Sequence, residues 1–376
     1  MRKVSFPYMG ASHLAFKSLM RELGNEPIVP PKPSLKTLNF GTRFAPEFAC
    51  LPYKILLGTY VEVLEMGADT IAASGGVGPC RAGHYAQLHR QILTDAGYKF
   101  EMIVYEPPSI GYRDFVHKIQ MLNSARLPLL KLLGAINRGW AKIKAFDRLE
   151  ELSHWIRPRE TGNGETSKAY RQTLEIIDRA ESLEEIKQAE KEAVALLKSV
   201  PHDPDFKPLK VGIVGEIYVL LEPSANLEIE ETLGEMGVEV HRSMFLSGWT
   251  RDNTLFDTLR IMAKGDPLKR AAQPYLAEMI GGHGQDSVGH TVLYAKEGYD
   301  GVIQLAPFTC IPEIVAKSVL PAVSRDLNIP VLSLSLDEQT GKEGVRTRLE
   351  AFVDLLARRR EIKANTRLAH ELGGGA

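Results

Sequence analysis

Short apolar runs that begin just after a glycine or asparagine recur along this chain. Clear instances are Met66-Gly67-Ala68-Asp69-Thr70-Ile71-Ala72, Met236-Gly237-Val238-Glu239-Val240, Glu297-Gly298-Tyr299-Asp300-Gly301-Val302-Ile303 and Leu327-Asn328-Ile329-Pro330-Val331-Leu332. Glycine or asparagine at such a position accepts the left-handed conformation that closes a helix, and the apolar run then reads as a buried strand. Helix, glycine and strand in alternation predict an α/β fold with parallel strands. The pattern fills residues 1–110 and 208–360. The second block opens on the strand Lys210-Val211-Gly212-Ile213-Val214. Between them, residues 111–207 are rich in Lys, Arg, Glu and Leu, and Ala180 to Lys191 has the spacing of an exposed amphipathic helix. Arg157 to Gly164 reads as a loop and Pro201-His202-Asp203-Pro204 as a linker. The expected architecture is two α/β lobes joined by a helical insertion, with 361–376 a loosely held tail.

Composition narrows the function classes. At 376 residues, 44% hydrophobic and 25% charged, the chain can bury a sizeable core, and a net charge of −1 offers nothing to a nucleic acid. No run approaches the roughly 18 apolar residues of a membrane span. The N-terminus, Met1-Arg2-Lys3-Val4-Ser5-Phe6-Pro7, has the character of a first strand rather than of a signal peptide, so a cytoplasmic location is expected.

Three cysteines carry the chemistry: Cys50, Cys80 and Cys310, each with a proline within two residues (Pro52, Pro79 and Pro312). Proline favours the first turn of a helix, which places each sulfur near a helix N-terminus, where free N–H groups favour a thiolate. An odd number of cysteines in a cytoplasmic chain points to metal or redox chemistry rather than to disulfides; the alternative is three inert core thiols. Cys80 and Cys310 each follow a strand, at the carboxyl edge where open α/β sheets bind ligands. Gly75, Gly76 and Gly78 let the backbone turn its N–H groups toward a phosphate or toward the sulfides of a cluster, though they equally suit a plain tight turn. Neither they nor Gly212 to Glu216 match a dinucleotide fingerprint. Arg81 and Lys54, each near a cysteine, could offset cluster charge or simply lie at the surface. A zinc site would need a fourth ligand, with His84, His283 and His290 as candidates, but no C-x₂₋₄-C pair is present. Three separated thiolates suit a cube-shaped iron–sulfur cluster with one open iron. Asp337-Glu338, at a strand's carboxyl end, could reach the cleft, but reads rather as a cap for the helix that follows. No HExxH spacing occurs.

Glu47-Phe48-Ala49-Cys50-Leu51-Pro52-Tyr53-Lys54, Gly78-Pro79-Cys80-Arg81-Ala82-Gly83-His84-Tyr85 and Pro307-Phe308-Thr309-Cys310-Ile311-Pro312-Glu313 resemble the cysteine motifs of the 2-hydroxyacyl-CoA dehydratase component D superfamily. That group includes benzoyl-CoA reductase subunits, double-cubane cluster proteins and proteins labelled CoA protein activase. Asp337 to Gly341 with Arg346 to Phe352 is similar to its C-terminal motif, and the resemblance spans most of residues 1–356. It implies two Rossmann-like lobes and a [4Fe–4S] cluster held by Cys50, Cys80 and Cys310 with an open iron. Low-potential electrons would come from a separate ATP-hydrolysing activase of actin-like fold. It also implies a homodimer, or a heterodimer with a related cluster subunit. The chain lacks a Walker-type loop, carries fewer cysteines than double-cubane members, and shows no segment that marks a CoA pocket. A two-lobe scaffold or binding subunit of such a system is the alternative.

Overall fold

The computed structural model describes residues 1–76, 80–106, 111–254 and 266–373. Strands β1 (Lys3–Ser5), β2 (Glu26–Pro27), β3 (Thr70–Ser74) and β4 (Glu101–Tyr105) form one all-parallel sheet in the order β2-β1-β3-β4. Strands β5 (Leu209–Gly215), β6 (Val238–Arg242), β7 (Gly301–Pro307) and β8 (Val331–Leu336) form a second in the order β6-β5-β7-β8. The expected pair of Rossmann-like parallel-sheet lobes is present, and the lobes share one plan. In each, the chain moves outward from the first strand to the second and then crosses back to the third. The reversal leaves a crevice at the carboxyl ends of the strands. Helices cover both faces of a parallel sheet, so β7 (Gly-Val-Ile-Gln-Leu-Ala-Pro) is buried at every position.

The insertion is helical. Helices Leu129–Ile156, Glu165–Arg179 and Leu183–Lys198 share a core of Phe146, Leu149, Ile177, Ile186 and Leu197. The amphipathic segment expected from Ala180 is found as the last of these, opened by a capping box between Ser182 and Glu185. Arg157–Arg159, read as loop, forms a buried 3₁₀ turn. The final helix runs Lys342–Gly373, through the segment read as a tail.

One helix, Leu51–Glu65, lies between the lobes and is buried on nearly every side from Leu51 to Val63. Leu51 and Ile55 belong to the second lobe's core with Val211, Ile213 and Leu336, whereas Tyr53, Leu57 and Tyr60 belong to the first lobe's. Its neighbour, helix Leu35–Phe44, crosses it at two glycines. A Cβ on Gly58 would stand 1.8 Å from the Thr37 carbonyl oxygen, and one on Gly41 1.9 Å from that of Lys54. Across the lobes, Lys54 pairs with Glu338 at 2.6 Å, the Gly10 N–H donates to Glu222 at 2.7 Å, and the Tyr218 hydroxyl donates to the Tyr8 carbonyl at 2.9 Å. These contacts fix the two crevices relative to each other.

Candidate functional site

Each cysteine occupies an N-cap. Cys50 caps the central helix Leu51–Glu65, with Pro52 in its first turn. Cys310 caps helix Ile311–Asp326, with Pro312 in the equivalent place. Cys80 caps the 3₁₀ turn Arg81–His84, which leads into helix Tyr85–Asp95. Cys50 and Cys310 are buried, and Cys80 is half-buried. Cys80 follows β3 and Cys310 follows β7, the third strand of each lobe.

The three cysteine-bearing segments are joined by hydrogen bonds. The Arg81 guanidinium donates through Nη1 to the Phe48 carbonyl at 3.0 Å and through Nη2 to the Thr309 carbonyl. The Thr309 hydroxyl donates to the same Phe48 carbonyl at 3.0 Å. One side chain beside Cys80 therefore reaches the residues just before Cys50 and Cys310. Arg81, which the sequence left as a charge-offsetting or a surface side chain, acts as a structural staple. Thr309 holds φ +65, an outlier for a β-branched residue. Such strain persists only where the surroundings over-determine it, as the two bonds at Thr309 do.

Burial dominates the electrostatics of the three thiols. Burial pushes the Cys50 thiol up to about 11, against the contact from the Tyr85 hydroxyl and the nearby N–H of Tyr53. Burial raises Cys80 and Cys310 too, and the Glu216 carboxylate raises all three. The Cys50 charge itself raises Cys310, so the two lie within electrostatic reach. First-turn N–H groups of Ala82 and Glu313 pull the other way, but no sulfur closes a full capping hydrogen bond. The helix ends expected to favour thiolates are thus in place, and burial outweighs them. A bound cation reverses that balance, because coordination removes the thiol proton.

Spacing separates a zinc site from a cluster. Among the described residues, the only three-residue His/Cys/Asp/Glu group whose ligand atoms all fall within 4.8 Å is Glu150, His154 and Glu230. The three sulfurs are therefore spread more widely than the ligands of one tetrahedral zinc, which stand about 3.8 Å apart for Zn–S bonds of ~2.3 Å. A cube of iron and sulfide, anchored at separate corners, accepts thiolates about 6–7 Å apart. Gly282, at φ +49, packs against Pro312, where a Cβ would stand 2.9 Å from Cγ, and it lies beside the Cys80 sulfur, which such a Cβ would meet at an ordinary 3.7 Å. Three thiols at separate helix starts are the kind of donor set an iron–sulfur cluster takes.

The remaining expected residues fall as follows. Gly75 donates its N–H to the Tyr105 carbonyl at 2.6 Å, and a Cβ there would meet Val104 at 2.7 Å, so its role is strand packing. Gly76 stands against Gly83 in the Cys80 turn. Gly78 lies outside the described residues. Lys54 is buried and its charge is met by Glu338. Asp337 accepts from the Gln339 N–H and the Thr340 hydroxyl, making a local turn, and Glu338 bridges the lobes instead of capping. Three residues of the site carried no sequence signal: Tyr85, whose hydroxyl meets the Cys50 sulfur; Glu216, at the carboxyl end of β5; and Glu313, in the first turn after Cys310. Glu216 accepts from the N–H groups of Tyr218 and Val219. Burial pushes Glu313 up to about 7, against hydrogen bonds from Gln304 and Ser287. Glu216 follows the strand-ending Gly215 and Glu313 follows Cys310 by three, but neither pattern is distinctive without the fold.

No protein-family profile and no curated protein matches this chain. Among the described residues, no helix is long and apolar enough to cross a membrane.

Proposed function

We propose that this chain is a cytoplasmic iron–sulfur protein of the 2-hydroxyacyl-CoA dehydratase-like kind, in which Cys50, Cys80 and Cys310 hold a [4Fe–4S] cluster in the crevice between the lobes. What supports this most is that Arg81, adjacent to Cys80, hydrogen-bonds to carbonyls beside both other cysteines. The chain's own residues then have defined tasks. The three helix starts direct N–H groups toward the sulfurs and moderate their charge. Arg81 and Thr309 keep the three segments in register. Tyr85 places a hydroxyl on the Cys50 sulfur. When bound, the cluster supplies one-electron transfer, and one iron lacks a cysteine. The proposed electron source is an ATP-hydrolysing activase of actin-like fold. Phe48, Phe308, Ile311 and Ile314 lie beside the cysteines in sequence and are at least half exposed, which suits a partner that docks over the site.

The test is iron and sulfide content after anaerobic reconstitution, in the wild type and in Cys50→Ser, Cys80→Ser and Cys310→Ser. About four irons per chain in the wild type, and loss in each variant, is the expected result. Iron-free wild-type protein, or full iron in all three variants, overturns the proposal and favours a two-lobe binding or scaffold subunit.

A further inference from the structure

The shared plan of the lobes gives each residue of the site a counterpart. The third strand of the first lobe, β3, is preceded by two packed helices, Leu35–Phe44 and Leu51–Glu65, and followed by Cys80. The third strand of the second lobe, β7, is preceded by two packed helices, Pro267–Ala272 and Gly284–Lys296, and followed by Cys310. The helix crossings match as well. Gly58 leaves room for the Thr37 carbonyl in one lobe, and Gly289 leaves room for the Leu268 carbonyl in the other, where a Cβ would stand 2.6 Å away. Cys80 and Cys310 are thus one equivalent pair. The partner of Cys50, which caps Leu51–Glu65, is the residue that caps Gly284–Lys296. That residue is His283.

His283 lies among the cysteine-bearing segments, with one ring nitrogen engaged among the described residues and the other not. Its neighbour Gly282 adjoins the Cys80 and Cys310 segments: a Cβ there would stand 3.7 Å from the Cys80 sulfur and 2.9 Å from Cγ of Pro312, two residues after Cys310. Its Nδ1 lies 3.2 Å from Asp286 Oδ2, the carboxylate–histidine contact that fixes the ring of a metal-binding histidine. The other nitrogen, Nε2, hydrogen-bonds to none of the described residues. The side chain is 17% exposed, and it feels the same Glu216 carboxylate that acts on all three cysteines.

Building on the proposed cluster, we propose that His283 Nε2 is the fourth ligand, bound to the iron that the three cysteines leave without a thiolate. The ligand set is then pseudo-symmetric: Cys50 and Cys80 from one lobe, His283 and Cys310 from the other. A neutral imidazole leaves the site one negative charge short of a four-thiolate set, which raises the potential, as histidine ligation does in Rieske centres. The buried carboxylates Glu216 and Glu313 oppose that rise.

The experiment is pulsed EPR of the reduced, anaerobically reconstituted protein, read for a strongly coupled ¹⁴N nucleus, in wild type, His283→Ala and His283→Cys. Iron content is measured first on the same samples. The expected result is a directly bound ¹⁴N in the wild type, its loss in both variants, and a lower potential in His283→Cys than in the wild type. A loaded wild-type cluster without bound nitrogen overturns the fourth-ligand assignment and leaves the three-cysteine cluster standing. A ¹⁴N signal that survives in His283→Cys overturns it equally. Wild-type protein that takes up no iron overturns the cluster itself and the ligand with it. Should His283→Ala fail to fold, the wild-type spectrum and His283→Cys decide.

Discussion

Gly58→Ala pits helix propensity against packing, and the two predict opposite signs. In an unconstrained helix interior, alanine in place of glycine stabilises by about 1 kcal/mol. Here the new methyl would stand 1.8 Å from the Thr37 carbonyl oxygen, 2.8 Å from its carbon and 3.1 Å from the Gly41 nitrogen. Ordinary contact needs about 3.4 Å, so helices Leu35–Phe44 and Leu51–Glu65 must separate by roughly 1.5 Å. The obstacle is backbone, which cannot swing aside as a long side chain would. Overpacking of this kind costs about 1–3 kcal/mol and here exceeds the propensity gain. The separation also breaks the 2.6 Å bond from the Thr37 hydroxyl to Glu62 and moves the helix that carries Cys50. Gly58→Ala should therefore lower the thermal midpoint and reduce iron uptake on anaerobic reconstitution. An equal or higher midpoint with full iron uptake would refute the claim that this crossing positions Cys50. The pseudo-equivalent Gly289→Ala, where the approach to the Leu268 carbonyl is 2.6 Å, should be milder in both readouts.

Arg242 is buried with its side chain fully covered, paired with Glu150 and Glu230 and donating to the Leu220 and Met244 carbonyls. Arg242→Met removes the guanidinium that both buried carboxylates share and should cost about 3–5 kcal/mol by chemical denaturation; a loss under ~1 kcal/mol contradicts its role as the cation of the Glu150–His154–Glu230 group. Burial raises Asp147 to about 6 from 3.8, against the 2.7 Å bond from the Ser247 N–H. A raised carboxylate pKa makes the folded state hold its proton longer, so this group's stability contribution declines as pH rises from about 4 to 6 and is flat above that. Asp147→Asn should remove a slope worth no more than about 3 kcal/mol, and urea titrations at pH 4 and 6 with unchanged wild-type-to-variant differences would sink the idea. Arg81→Met removes both bonds that tie Cys80 to the other two segments. It should speed amide exchange across Arg81–His84 about tenfold, the equivalent of ~1.4 kcal/mol, and unchanged exchange would deny the staple.

The parallel α/β plan was legible because glycine after each helix and apolar strands after each glycine are local signals. Gly67, Gly237 and Gly298 do hold positive φ at helix ends, and Asn328 does the same before β8. The N-cap placement of Cys50 and Cys310 was legible through Pro52 and Pro312 for the same reason, whereas Pro79 precedes Cys80 and lies outside the described residues. What the chain could not reveal depends on partners distant in sequence. The hydroxyl of Tyr85 meets a sulfur 35 residues away, Lys54 pairs with Glu338 across 284 residues, and Arg81 reaches a carbonyl 228 residues on. The burial that raises the three thiols was not legible either, because helix ends are visible in a sequence and burial is not. The match between Cys50 and His283 emerges only once both sheets show the same strand order.

Iron-edge anomalous diffraction from crystals of the anaerobically purified protein tests the central claim most directly. The account predicts one compact iron peak bounded by the sulfurs of Cys50, Cys80 and Cys310. Anomalous density elsewhere, a single zinc in its place, or three sulfurs contacting no metal would contradict it.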